Sequence, residues 1–178
     1  MQLKAKLMDE SDVERTLIRL SHQILEKNHG AENLCFVGIK TRGVPLAKRL
    51  SANILSIDGT EPPVGELDAT LYRDDLEPQT VEPSVSAPKL PFTVTGKTVV
   101  LVDDVMFTGR TARAALEAIM QLGRPAKVQL AVLIDRGHRE LPIRGDYVGK
   151  NIPSARSESV AVRLSELDGE TSVCIYET

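Results

Sequence analysis

The chain has 178 residues, of which 42% are hydrophobic and 26% are charged, and its formal net charge is −3. This length suits one domain over residues 1–178 that buries about 70% of its unfolded surface, and the composition excludes a disordered chain or a fibrous repeat. Because the molecule as a whole is slightly acidic, a polyanion would have to meet a local basic face. Cys35 and Cys174 lie in apolar runs, and no segment is long and apolar enough for a signal peptide or a membrane span. We therefore expect a reduced, cytoplasmic protein.

The N-terminal region predicts an amphipathic helix. Ser11 and Glu14 have the spacing of a capping box, and the pair His29 and Gly30 ends the pattern. The apolar side chains at helical spacing are Val13, Leu17, Leu20 and Ile24. We expect this face to be buried.

Short apolar runs alternate with helical patterns along the rest of the chain. Strands are predicted over residues 34–39, 64–71, 98–102, 127–134, 160–164 and 173–176, and helices over residues 45–53 and 108–122. This alternation predicts an α/β fold, with a mainly parallel sheet and helices on both faces. Ligands of such sheets bind beyond the carboxyl ends of the strands, where the loops at 40–43, 73 onward and 103–111 are expected.

The segment over residues 73–92 is rich in proline and acids and has almost no apolar periodicity. Structureless segments of this length inside a compact domain are commonly lids or disordered insertions. We expect a flexible loop beside the binding site.

The segment VVLVDDVMFTGRT, residues 99–111, combines two kinds of binding group. Asp103 and Asp104 suit the hydroxyls of a sugar or a hard cation. Thr108, Gly109 and Thr111 open a predicted helix, whose N-terminal amides and positive dipole end attract a phosphate. A sugar phosphate satisfies both ends, although paired acids alone fit a simple helix-capping turn equally well.

This segment resembles the signature of the type I phosphoribosyltransferases, in which two aspartates, three further residues and Thr-Gly-x-Thr bind the ribose and 5-phosphate of phosphoribosyl pyrophosphate. The resemblance implies that fold, with a small hood contributed mainly by residues 135–178. It also implies catalytic roles for Asp103 and Asp104. The implied contacts to phosphoribosyl pyrophosphate or nucleotide are Val105, Met106, Phe107, Thr108, Gly109, Arg110 and Thr111.

GIKTRG, residues 38–43, resembles the pyrophosphate loop of the same family. Lys40 and Arg42 would then be catalytic residues that face the departing pyrophosphate, with Thr41 and Gly43 also in contact. Judged alone, a basic tetrapeptide after a strand also fits a solvated turn. The resemblance further makes residues 73–92 the lid, with Arg73 at its root.

The resemblance implies Mg²⁺ as the cofactor. The ion would be held mainly through substrate oxygens, because Mg²⁺ keeps several waters and needs few protein ligands. Asp103 and Asp104 are the candidate protein ligands.

Three segments resemble one bacterial branch of the family, which joins uracil phosphoribosyltransferase activity with attenuation of pyrimidine operons. These are GIKTRG, TLYRDDL and IDRGHRELPIRGDYVGKNIPSARSE. The resemblance implies that uracil and phosphoribosyl pyrophosphate become UMP and pyrophosphate, that leader mRNA of pyrimidine genes is bound, and that UMP or UTP is the signal. The implied base-pocket residues are Asp135, Arg136, Gly137 and, more weakly, Val160.

Basic residues of the first helix and the tail are candidates for the RNA face. Arg15, Arg19 and His22 fall within about 60° on the side of the helix away from its apolar stripe. The tail adds His138, Arg139, Arg144 and Lys150. Charge alone favours a solvated face instead, since Glu26 shares it. With three Phe and three Tyr there is no stacking platform for single strands, so a folded hairpin is the expected ligand. We expect a homo-oligomer, a dimer or higher, that shapes the basic concavity.

Two other functions are compatible with parts of this pattern. A purine phosphoribosyltransferase without an RNA role would carry the same residues 99–111, and only the tail argues against it. An RNA-binding regulator with little catalytic activity would keep the nucleotide pocket, although Lys40, Arg42 and Asp104 are intact.

Overall fold

The computed structural model describes residues 1–70, 88 and 90–177. Its strands are β1 (Gln2–Met8), β2 (Leu34–Ile39), β3 (Val64–Leu67), β4 (Thr98–Met106), β5 (Lys127–Asp135), β6 (Tyr147–Asn151), β7 (Glu158–Arg163) and β8 (Ser172–Glu177). Its helices are α1 (Glu10–Asn28), α2 (Gly43–Asp58), α3 (Arg110–Leu122) and α4 (Ser165–Asp168). Arg73 and most of the predicted lid at 73–92 lie outside the described residues. Within the described part, no helix is long and apolar enough to cross a membrane.

The central sheet has five parallel strands in the order β3-β2-β4-β5-β6. A second, antiparallel sheet has the order β1-β8-β7. The predicted α/β architecture is therefore confirmed. The strands β1 and β6 were not predicted, because both are mostly exposed or half-exposed and lack an apolar run.

Apolar side chains alternate between the two faces of β4, as the strand period requires. Val100 and Val102 face one core, to which α1 and α2 contribute. Val99 and Leu101 face the other core, to which α3 contributes Ala114, Ala115, Ala118 and Ile119. The sheet is thus covered on both faces.

Helix α1 begins earlier than the sequence suggested. The Asp9 carboxylate accepts a hydrogen bond from Asp12 N at 2.8 Å, and Asp9 N donates to the Asp12 carboxylate at 3.0 Å. The capping box predicted at Ser11 and Glu14 was therefore wrong by two residues, because carboxylates at 9 and 12 make the same reciprocal bonds. The predicted end is confirmed, since His29 takes a left-handed conformation and Gly30 N reaches back to Leu25 O.

Three further boundaries differ from the prediction. Helix α2 continues to Asp58 instead of ending at 53, because Ile54 extends its buried face and Gly59 supplies the left-handed end. Strand β3 ends at Leu67 because the Asp68 carboxylate accepts from Thr70 N and turns the chain. Strand β4 runs to Met106 and not to 102, so both aspartates of the signature lie within it.

Candidate functional site

The signature residues form a turn between β4 and α3. Gly109 has φ 91°, a backbone conformation that favours glycine, and α3 begins at the next residue. Thr108 Oγ1 accepts from Arg110 N at 3.3 Å, and Arg113 N donates to Gly109 O. A cavity of about 310 Å³ lies at this turn. Its lining is Asp103, Val105, Met106, Phe107, Thr108, Gly109, Thr111, Ala112, Leu130 and Val132. Most of the predicted ribose-phosphate residues therefore share one cavity at a helix N-terminus.

The two aspartates are held firmly by the backbone. Asp104 N donates to Asp103 Oδ1, and Val105 N donates to Asp104 Oδ1, each at 2.9 Å. Both side chains are half-buried. Successive strand residues point to opposite sides of a sheet, and only Asp103 lines the cavity at the turn. The two carboxylates therefore lie on opposite sides of the end of β4 and do not form one cluster.

The predicted pyrophosphate loop packs directly on β4. A Cβ atom added to Gly43 would lie 2.2 Å from Val102 O, and one added to Gly38 would lie 2.5 Å from Val44 Cα. Only glycine fits this close approach. Gly43, and the loop that ends there, is therefore brought against the strand that carries Asp103 and Asp104.

The basic side chains of this loop differ in their partners. The peptide bond between Lys40 and Thr41 is cis, and Lys40 N donates to Leu67 O at 2.8 Å. Lys40 Nζ lies 3.8 Å from the Glu66 carboxylate, and its side chain is about half exposed. The Arg42 guanidinium donates to the Asp168 carboxylate at 2.8 Å. Both cations stand at the carboxyl edge of the parallel sheet.

Among the base-pocket candidates, Arg136 has a different setting from the one the sequence suggested. Its guanidinium donates to Ser154 Oγ at 3.0 Å, Ala155 O at 2.9 Å and Glu158 O at 2.7 Å. The residue is only 7% exposed, and burial lowers the pKa of its guanidinium. The side chain is used to hold the segment before β7, and its backbone N donates to Met106 O.

The remaining base-pocket candidates lie in two places. Asp135 and Gly137 line a second cavity together with Arg136, and the Asp135 carboxylate accepts from Gly137 N at 2.9 Å. Val160 lies in β7, where it is half-buried against the core on the α1 and α2 side and pairs with Ile175. It does not line the second cavity.

Phe107 connects the signature turn with the loop that follows β5. The Arg136 guanidinium lies 4.1 Å from the centre of its ring, and the His138 ring meets it edge-on at 5.8 Å. His138 Nε2 also lies 2.6 Å from Ser154 O. A residue predicted for RNA thus contacts the predicted nucleotide site.

The RNA candidates fall into two groups. Arg15, Arg19 and Lys150 line one groove, into which Asp12 also projects, and Arg15 pairs with Asp12 at 2.7 Å. Arg19 donates to Gly149 O. His138, Arg139 and Arg144 line the second cavity beside Asp135 and Gly137. His22 is exposed on α1 and lines neither concavity.

Two site neighbours were missed by the sequence reasoning. Glu140 N donates to Thr108 O at 2.9 Å, and the Glu140 carboxylate pairs with Arg110 at 3.0 Å. Asp168 reaches Arg42 from α4. No motif distinguishes these acids from other surface acids, so only the fold reveals them.

The candidate cation ligands of this site are the two aspartates of β4. Across residues 1–70, 88 and 90–177, no group of three or more His, Cys, Asp and Glu side chains is placed to hold a metal ion. Asp103 supplies a hard oxygen ligand at the cavity of the turn, and Asp104 supplies another from the opposite side of the end of β4. Such a pair suits Mg²⁺, which retains waters and takes one or two carboxylates with substrate phosphates.

Comparison with known proteins agrees with this geometry. The sequence matches the phosphoribosyl transferase domain family over residues 6–166. It is 60% identical over 174 residues to the Bifunctional protein PyrR of Clostridioides difficile, with 98% of each chain covered. It is 55% identical over 177 residues to the Bifunctional protein PyrR of Thermus thermophilus, covering 99% of this chain and 98% of the relative.

Solved structures of hypoxanthine phosphoribosyltransferases share the fold. The Staphylococcus aureus enzyme superposes with a TM-score of 0.73 at 23% identity, covering 97% of this chain and 92% of that one. The Trypanosoma cruzi enzyme gives a TM-score of 0.73 at 17% identity, covering 98% and 97%. The predicted type I fold and the resemblance of residues 99–111 are therefore confirmed, and the chain belongs to the phosphoribosyltransferase family.

Proposed function

We propose that this chain is a uracil phosphoribosyltransferase that also binds the leader mRNA of pyrimidine genes and attenuates their transcription in response to uridine nucleotides. The enzymatic reaction converts uracil and phosphoribosyl pyrophosphate to UMP and pyrophosphate. The observation that supports this proposal most directly is the close packing of Gly43, at the end of the proposed pyrophosphate loop, against β4 just before Asp103 and Asp104. The strong similarity to bifunctional relatives supports the pairing of the two activities in one chain.

The 5-phosphate binds at the start of α3. Backbone amides at the N-terminus of a helix are unpaired, and their dipole favours an anion. Thr108 and Thr111 add hydroxyl donors, and Gly109, with φ 91°, turns the chain so that the helix amides face the ligand. This end of the cavity fixes the sugar.

The two aspartates hold the ribose while its bond to pyrophosphate breaks. The transition state carries positive charge on the ribose, which the preorganised carboxylates stabilise. Asp103 and Asp104 need no rearrangement, because backbone amides already fix one oxygen of each. Lys40 and Arg42 stand at the neighbouring strand end to hold the departing anion.

A bound Mg²⁺ would supply positive charge that offsets the charge of the pyrophosphate. Asp103 and Asp104 are the residues that would contact the ion or the hydroxyls. Arg73 and the segment 73–92, proposed as the lid, would exclude water that could intercept the reactive sugar.

The base is read beside the loop after β5. The cavity that Asp135 and Gly137 line opens next to Phe107, and Arg136 keeps the hood segment in place below it. Val160 lies in β7, outside this cavity. The Asp135 carboxylate and the basic side chains that line the cavity offer acceptors and donors to the edge of uracil, which presents both.

Leader RNA would bind across the basic residues of the two concavities. Arg15, Arg19 and Lys150 come from one groove, and His138, Arg139 and Arg144 come from the other, with His22 on the exposed side of α1. Because Asp12 lies among them, shape and a few contacts must add to charge. A homo-oligomer would bring several copies of this surface together, and UMP or UTP would report the uridine nucleotide pool to it. Action on nascent mRNA places the protein in the cytoplasm.

Turnover with defined bases tests the enzymatic half. Wild-type protein should form UMP from uracil, with little product from hypoxanthine, guanine or adenine. Asp104→Asn should lose about 100-fold or more in kcat, because a fixed transition-state contact of this kind is worth about 10²–10³ in rate. Asp58→Asn, at the exposed end of α2, is the control and should be unchanged. A preference for a purine base would overturn the assignment.

A further inference from the structure

The short helix α4 is joined to α2 by two arginine–carboxylate pairs. Arg42 Nη2 donates to Asp168 Oδ1 at 2.8 Å. Further along α2, Arg49 donates two hydrogen bonds to the Glu166 carboxylate, at 2.7 and 2.6 Å. The first pair touches the pyrophosphate loop, whereas the second lies two turns away from it. The two contacts therefore look alike but differ in their distance from the site.

The Asp168 carboxylate is also held by the backbone of its own helix. Its second carboxylate oxygen accepts from Leu164 N at 2.8 Å, which closes the turn of α4. This hydrogen bond and the Arg42 guanidinium lower the pKa of Asp168, so the carboxylate is ionised at neutral pH. Its side chain is 21% exposed. The acid is a rigid, charged partner instead of a mobile surface group.

Arg42 has few other restraints. Its Nε is buried and lacks a hydrogen-bond partner within the described residues. Asp168 is its one ion-pair partner in that part of the chain. An unrestrained arginine side chain carries about 2 kcal/mol of rotamer entropy, which must be lost when it binds an anion. A contact that orders the guanidinium in advance lowers this cost.

We propose that Asp168 is a positioning residue for the leaving group: it holds the guanidinium of Arg42 at the pyrophosphate loop before phosphoribosyl pyrophosphate arrives. This inference rests on the proposed function and assigns no contact between Asp168 and substrate. Its effect is confined to the pyrophosphate end, because the Asp168 pair touches neither the 5-phosphate turn nor the loop after β5. Loss of Asp168 therefore weakens binding of phosphoribosyl pyrophosphate and of pyrophosphate alike, and leaves the KM for uracil unchanged.

Steady-state kinetics of matched variants test this assignment. In Asp168→Asn the amide oxygen can still accept from Leu164 N, so the α4 turn is kept while the charge is lost. Glu166→Gln is the matched control, since it removes a carboxylate of α4 that pairs with another arginine of α2. D168N should raise the KM for phosphoribosyl pyrophosphate and the inhibition constant of pyrophosphate by about tenfold, a value in the range of a charge-assisted hydrogen bond. E166Q should change neither by more than twofold, although it lowers Tm.

A double-mutant cycle separates positioning from general damage. In an Arg42→Gln background, D168N should have no further effect on the KM for phosphoribosyl pyrophosphate, because Asp168 acts through Arg42. If D168N folds poorly, Asp168→Ser keeps a hydroxyl for Leu164 N and should give the same KM shift. An unchanged or lowered KM in the folded variant would overturn the proposal, the lowered value indicating that Asp168 competes with substrate. Absence of UMP formation by wild-type protein would instead overturn the proposed function.

Discussion

The substitution Gly43→Ala adds one methyl group and should impair catalysis in a protein that still folds. The structure places an added Cβ 2.2 Å from Val102 O, a backbone atom of the central strand β4. Real contacts between a carbon and an oxygen lie about 1 Å further apart, at about 3.3–3.6 Å. Because β4 is paired on both sides, the pyrophosphate loop has to move instead of the strand.

A displacement of about 1 Å predicts the size of the effect. Misplacement of a binding group by that distance can reduce a rate by about 10²-fold. We therefore expect Gly43→Ala to lower kcat/KM for phosphoribosyl pyrophosphate by about 100-fold. The KM for uracil should change far less, because the loop after β5 does not contact Gly43.

The control lies at the other end of the same helix. Gly59 has φ 81° and no heavy atom within 4 Å of an added Cβ. Gly59→Ala should cost about 1–2 kcal/mol of stability through its left-handed backbone, with activity unchanged. UMP formation and urea unfolding would be measured for both variants. Wild-type kcat/KM in a folded Gly43→Ala protein would refute the close-packing argument.

Two further predictions concern stability. Burial raises the pKa of the Cys35 thiol to about 11 and that of the Tyr147 phenol to about 12. As the pH rises, the unfolded chain therefore loses these protons before the folded protein does. The free energy of unfolding should fall from about pH 9 to pH 12. Urea unfolding at pH 7.5, 9 and 10 checks this, and a constant value would contradict it. Arg136→Met should cost about 3 kcal/mol, because the acceptors on Ala155 and Glu158 lose a buried donor. Lys127→Met, at the exposed start of β5, is the comparison. Equal unfolding midpoints for these two variants would count against the role of Arg136.

The sequence predicted most of the central sheet because its strands β2 to β5 each carry an apolar run or an alternating pattern. The apolar run at 34–39 and the segment 99–111 were enough to predict strands β2 and β4 and the turn between β4 and α3. The unpredicted strands, β1 and β6, have no such signal, since most of their side chains are exposed or half-exposed.

The sequence predicted the location of residues in the fold better than the contacts that their side chains make. Arg136 lines the second cavity with Asp135 and Gly137, but its guanidinium holds the segment before β7, because three acceptors from residues 154–158 surround it. Asp168 was overlooked because its partner, Arg42, is 126 residues away. Contacts between distant segments depend on the packing of the whole fold, which a single sequence does not display.

The contact of His138 with Phe107 makes a physical link between the proposed RNA face and the nucleotide site. Glu140 adds a second link, through Thr108 and Arg110. A nucleotide that orders the turn at 107–110 would therefore also order the loop that carries Arg139. Binding energy at one site can in this way change affinity at the other.

The most direct test of the bifunctional assignment is a filter-binding titration of a pyrimidine-leader hairpin, with and without UMP, on wild-type protein and Asp104→Asn. The assignment predicts tighter RNA binding by wild-type protein when UMP is present. It also predicts that Asp104→Asn, inactive in turnover, binds RNA as wild-type protein does when nucleotide is absent. Failure of wild-type protein to bind the hairpin, or an affinity that UMP leaves unchanged, would contradict it.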